Sequence, residues 1–113
     1  MRFEMFVDGI PVPKELRMYA ESRVGLAVHR AADRLSFVGV RLEARPPHFE
    51  VTCQLEAWMR GIGVVTASHA NADSYVAIDR AAALLEQAVL RKLRDAEAAE
   101  ADERELYVPL TSH

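Results

Sequence analysis

The sequence predicts an α+β fold, a four-stranded sheet with two long helices packed on one face, in the order β-α-β-β-β-α. Three observations carry this. Four segments alternate apolar and polar residues with a period of two, and two longer ones repeat apolar residues every three or four positions. Glycines and prolines punctuate the boundaries between them. Lengths also agree: helices of roughly 22 residues span about 33 Å, and strands of eight to ten residues about 26–33 Å. Two such helices side by side cover one face of such a sheet.

Arg2 to Val7 opens the chain as a strand, with Phe3, Met5 and Val7 on one side. Asp8-Gly9, Pro11 and Pro13 end it, and Pro13 with Glu15 suits the first turn of a helix. Leu16, Ala20, Val24, Ala27, Ala31 and Leu35 continue that helix's buried face to about Arg34. Gly25 costs about 1 kcal/mol relative to Ala in a helix, so it is expected to mark close packing on a neighbour. Val38, Val40, Leu42 and Ala44 form the second strand, and Phe49, Val51, Cys53, Leu55 and Ala57 the third. Arg45-Pro46-Pro47-His48 between them reads as a hairpin connection. After the Arg60–Gly63 turn, Val64–His69 is the fourth strand. Asn71 or Asp73 caps the closing helix, Asp73 to Arg94, whose core stripe is Tyr75, Ile78, Ala82, Leu85, Val89 and Leu93. Arg41, Glu43, Glu50, Thr52, Gln54 and Glu56 alternate outward, which predicts a solvated second sheet face.

A chain of 113 residues fits one domain with a real core. No apolar run approaches the roughly 20 residues of a membrane span, so no membrane association is expected. The start, MRFEMFVDGI, lacks the pattern of a secretory signal. The single cysteine, Cys53, has no internal disulfide partner and reads as a buried thiol on a strand. The expected location is the cytoplasm. Net charge is −3, unevenly distributed. Residues 96–113 carry five acids against Arg104, whereas residues 1–95 carry 13 basic and 12 acidic side chains. The chain is therefore divided into a domain, 1–95, and an acidic C-terminal tail, 96–113. That tail is expected to extend the last helix, and to lie over the basic helical face in competition with phosphate.

No enzymatic grouping is visible. His29, His48, His69 and His113 lie on distant elements without metal-ligand spacing. There is no nucleophile–base constellation, P-loop or dinucleotide fingerprint. The expectation is a non-enzyme without metal or cofactor. Trp58 and Tyr75 are assigned to core or edge packing.

The run Asp73-Ser74-Tyr75-Val76-Ala77-Ile78-Asp79, with Leu85-Glu86 behind it, resembles the last helix of the ribosome hibernation factors. That family is also known as ribosome-associated inhibitors, ribosomal subunit interface proteins or sigma-factor modulation proteins. Leu16, Tyr19, Glu21, Arg23 and Arg30 add a family-like order in the first helix, and the architecture extends the resemblance to residues 1–95. It implies a translation regulator that binds the small ribosomal subunit and its RNA near the decoding region and inhibits translation. Lys and Arg of the two helices would grip phosphates, giving salt-dependent affinity without base reading. The residues implied are Arg23, Arg30 and Arg34 on the first helix, with Arg80, Arg91, Lys92 and Arg94 on the second. Arg91, Lys92 and Arg94 also complement a helix C-terminus. Where the family is basic, this chain has Leu26, Leu84, Gln87 and Leu90. That departure supports an alternative: a protein-interaction module on the same fold, homodimerising through Leu84 and Leu90, that has lost ribosome binding.

Overall fold

The computed structural model describes residues 1–45 and 48–106, in the order β1 (Arg2–Asp8), α1 (Lys14–Ala27), a 3-10 turn (His29–Ala31), β2 (Leu35–Arg45), β3 (His48–Met59), β4 (Gly63–Asn71) and α2 (Ser74–Leu106). The four strands form one sheet in the spatial order β1-β2-β3-β4. β1 runs parallel to β2, and the other pairs are antiparallel. A parallel pair needs a crossover, which α1 supplies. The Pro46-Pro47 connection lies outside the described residues.

Strand register sorts the side chains into two faces. Phe3–Val38–Ala57–Val65, Met5–Val40–Leu55–Ala67 and Val7–Leu42–Cys53–His69 form successive cross-strand rows toward the helices. Val38, Val40, Leu42, Cys53, Leu55 and Ala57 are almost wholly buried there. Ala77, Ile78, Ala81, Ala82, Leu85 and Val89 of α2 close over this surface, with Leu16, Ala20 and Val24 of α1. Alanines at 77, 81 and 82 keep α2 close to the sheet, where larger residues would hold it off. Every buried residue among those described is apolar.

Two turns require glycine. Gly9, in the β1–α1 turn, has φ +78°, and a Cβ there would come within 2.0 Å of the Ala44 carbonyl oxygen. Gly61 takes φ +77° in the β3–β4 turn. Gly25 behaves differently from expectation. A Cβ on it would meet nothing within 4 Å, so it marks no close packing.

The helix boundaries differ from those predicted. α1 ends at Ala27 rather than near Arg34, and the chain continues through the 3-10 turn. Its 14 residues span about 21 Å, matching the roughly 23 Å of the seven-residue β1 that it retraces. Ala31 and Leu35 are buried as predicted, but from the 3-10 turn and the first residue of β2. α2 runs past Arg94 into the acidic segment, where an extension of the helix is expected. It continues to Leu106, so the acidic segment starts as regular helix. Asp73 caps it: Oδ1 accepts from the backbone N–H of Tyr75 (2.8 Å) and Val76 (3.4 Å). Asn71 supports the cap by accepting from the N–H of Asp73 at 2.9 Å.

Candidate nucleic-acid interface

Contacts advance together along the two helices: Tyr19 meets Tyr75 and Asp79, Arg23 meets Asp79, and past the end of α1 Arg34 meets Glu100. α1 and α2 therefore run in the same direction, with a seam between them. At its start the Tyr19 and Tyr75 rings pack edge to face, with centroids 5.0 Å apart. The Tyr19 hydroxyl donates a short hydrogen bond to the Asp79 carboxylate. Arg23 Nε lies 3.4 Å from the same Asp79 oxygen. The hydrogen bond to Asp79, aided by burial, raises the Tyr19 pKa above its ordinary value. Tyr75, predicted in the core stripe, is instead 41% exposed and roofs this latch. Three residues before Ile78, it stands about 60° away around the helix, and its ring packs on Tyr19 of α1 rather than on the sheet.

The seven predicted basic residues do not form one stripe. Arg23 is half-buried in the seam and engaged by Asp79. Arg30 is exposed on the 3-10 turn, past the end of α1. Arg34 lies in the turn before β2, not on a helix, and its Nη2 donates to Glu100 Oε1 at 2.7 Å. This contact and the nearby Glu97 carboxylate raise the Arg34 pKa. The basic row expected on the first helix is thus dispersed, because α1 ends before it reaches Arg30 and Arg34.

α2 retains a row. Arg80, Gln87, Arg91 and Arg94 are exposed, and steps of seven, four and three residues align them on the outward side. Arg94 Nε reaches back to the Leu90 carbonyl at 3.4 Å. Because α2 runs on to Leu106, Arg91, Lys92 and Arg94 are not at its C-terminus, and the helix-dipole explanation for them fails. Lys92 is exposed but lies on another side of the helix, about 100° from Arg91. The basic residues that sequence reasoning missed are Lys14 and Arg17, both exposed on α1. They were visible in the sequence, in the first turn of the amphipathic pattern, opposite its apolar stripe.

Among the apolar replacements, Leu26 is 67% and Leu84 45% exposed, whereas Leu90 is half-buried. Leu84 and Leu90 do not make one patch, since six residues separate them by about 120° around the helix. Leu90 follows Asp79, Ala83 and Glu86 on the seam side, and Leu26 follows Tyr19 and Arg23 on the facing flank of α1.

Other chemistry is sparse. No group of His, Cys, Asp and Glu that could hold a metal occurs among the described residues. Cys53 is fully buried, and burial pushes its thiol up to about 12. No helix of the described residues is long and apolar enough to cross a membrane.

One mixed four-stranded sheet with two helices on one face is an architecture already seen in solved proteins. In particular, the chain is similar to a ribosomal subunit interface protein from Coxiella burnetii, with TM-score 0.69 and 18% identity over 80% of this chain and 96% of that one. It is likewise similar to the N-terminal domain of Thermus thermophilus Protein Y, with TM-score 0.68 and 25% identity over 80% of this chain and 98% of that domain. No family model matches the sequence, and no curated protein sequence does. The resemblance read from Asp73–Asp79 therefore holds at the level of the fold.

Proposed function

We propose that this protein is a non-enzymatic, ribosome-associated translation regulator that binds small-subunit RNA through its helical face. The observation that carries the reading is the outward row Arg80, Arg91 and Arg94 on α2, within a fold shared with a ribosomal subunit interface protein. Guanidinium groups on a rigid helix suit phosphate, since each can donate two hydrogen bonds to one phosphate group. Arg30 and Lys14 add exposed positive charge at opposite ends of α1. Arg23 and Arg34 contribute less, because Asp79 and Glu100 already neutralise them. The binding surface is α2-centred, and occupation of a small-subunit RNA site by a rigid domain would inhibit translation by steric exclusion.

Co-sedimentation with small ribosomal subunits across a salt series tests this. Binding at low salt that declines steeply with added salt is expected; absence of binding at low salt rejects it. Exposure of Leu26 and Leu84 favours a second reading, a protein-interaction or homodimerising module. Under that reading, sedimentation shows a stable dimer that Leu26→Lys or Leu84→Lys dissociates.

A further inference from the structure

The sheet face opposite the helices has a composition of its own. Register places Arg2–Phe37–Trp58–Val64, Glu4–Gly39–Glu56–Thr66, Phe6–Arg41–Gln54–Ser68 and Asp8–Glu43–Thr52–Ala70 in four successive rows. Phe6 is 53% exposed, Trp58 46% and Val64 43%, a concentration of large apolar surface that a solvated sheet face does not need. Trp58, predicted to pack in the core or at an edge, stands here against Phe37, with ring centroids 6.5 Å apart.

Gly39 opens the middle of this surface. Without a side chain at that position, a depression of about 500 Å³ forms, walled by Phe6, Arg41, Gln54, Glu56, Thr66 and Ser68. Phe37 and Glu56 lean over Gly39, each with an atom 3.1 Å from where a Cβ would sit. The charge is negative: the four rows hold Glu4, Asp8, Glu43 and Glu56 against Arg2 and Arg41. Both arginines are paired, which neutralises Glu4 and Glu43 as well and leaves Glu56 as the carboxylate at the depression. Arg2 lies 3.3 Å from Glu4 and over the Phe37 ring, and Arg41 lies 3.2 Å from Glu43 and over the Phe6 ring.

We infer that this face docks an extended, basic polypeptide segment, with one apolar side chain packed on the exposed Phe6 ring at the edge of the Gly39 depression and a Lys or Arg beside Glu56 and Trp58. An apolar anchor bordered by polar groups is the usual anatomy of a binding hot spot. A cation beside Glu56 gains a carboxylate, and the adjoining Trp58 ring offers a cation–π surface. Extended chain fits because its side chains alternate with a period of two, one set toward the depression and the other away. An RNA strand would bring phosphates onto the carboxylates. A second copy would bring the same acidic rows face to face. The site is separate from the α2 row, so either can fail without the other.

Trp58 is the only tryptophan in the chain, so its emission reports this face directly. The full chain is titrated with a short synthetic peptide in which lysine alternates with leucine. A matched glutamate–leucine peptide and a single-stranded oligouridylate serve as parallel arms. The expected result is a saturable Trp58 shift with the basic peptide alone. Glu56→Lys should weaken that binding about tenfold or more, and Glu56→Gln should weaken it less in the same direction, without altering side-chain shape. The inference is overturned if the basic peptide gives no saturable shift, or if the acidic peptide or the RNA gives an equal one. It is also overturned if both Glu56 variants bind as the parent does, or if sedimentation shows this face buried in a dimer.

Discussion

The two faces of the molecule make opposite use of charge. On the helical side, cations are spread over α1, the turn before β2 and α2, and the ones nearest the seam are neutralised by Asp79 and Glu100. On the open sheet face, acids predominate around exposed Phe6 and Trp58. A net charge of −3 describes neither face. Partner chemistry follows from where side chains emerge: strand parity puts the acids on the open sheet face, and the helices carry the cations on the other side. Under the proposed reading, the helical face meets phosphate along one row of α2, and the sheet face meets positive charge.

The largest effect expected is on small-subunit binding. Reversing Arg80, Arg91 and Arg94 together to Glu should reduce affinity at low salt by about a thousandfold, at roughly tenfold per lost phosphate contact. Glu56→Lys on the sheet face should leave that affinity unchanged. Equal losses from both, measured by co-sedimentation, would erase the distinction between the faces.

The next effect concerns the layer between the faces. Cys53 is buried with its thiol raised to about 12, so the folded chain keeps a proton that the unfolded chain releases near pH 8.5. Its folded pKa is the higher one, so stability is full below about pH 8.5 and falls by about 1.4 kcal/mol per pH unit above it, until the folded value is reached. Tyr19, also raised, adds to the loss above about pH 10. Urea denaturation between pH 7 and 10 checks this, and Cys53→Ala should flatten the slope. A slope unchanged by that variant would place its origin elsewhere.

Smaller effects sharpen the description of the helical side. Gly25→Ala should stabilise the protein by about 0.5–1 kcal/mol, since a Cβ there meets nothing and helix propensity improves; an unchanged denaturation midpoint would contradict it. Glu100→Gln frees Arg34 from its 2.7 Å partner and should raise RNA affinity about two- to threefold at low salt. Unchanged affinity would mean that the helical extension does not compete with phosphate through Arg34.

Much of the fold was legible because periodicity was clean. Val38, Val40 and Leu42, and Val51, Cys53 and Leu55, alternate without exception, and their register follows. The end of α1 was not legible, because Ala27 and Ala31 fit a continued α-helix and a 3-10 turn equally well. The continuation of α2 through the acidic segment was only half visible, since Ala-Glu repeats favour helix without an apolar stripe to mark it. The candidate site was less legible. Arg34 looks like any solvated cation until folding brings Glu100, 66 residues away, against it. Arg23 and Asp79 likewise meet only across the seam. Composition counts charges, whereas pairing between distant segments decides which of them remain for a ligand. On the sheet face, the consequence of Gly39 depends on Phe37 and Glu56 leaning over it, which only the folded register supplies.

The central claim is that α2 presents the phosphate-binding row, and the salt dependence of small-subunit binding tests it most directly. For the parent chain, log affinity should fall linearly with log salt, with a slope set by the number of phosphates contacted. In Arg91→Gln the slope should be shallower by about one, whereas Arg23→Gln should change it little because Asp79 already holds that side chain. A slope that is unchanged in Arg91→Gln but reduced in Arg23→Gln would contradict the account and move the interface to the seam.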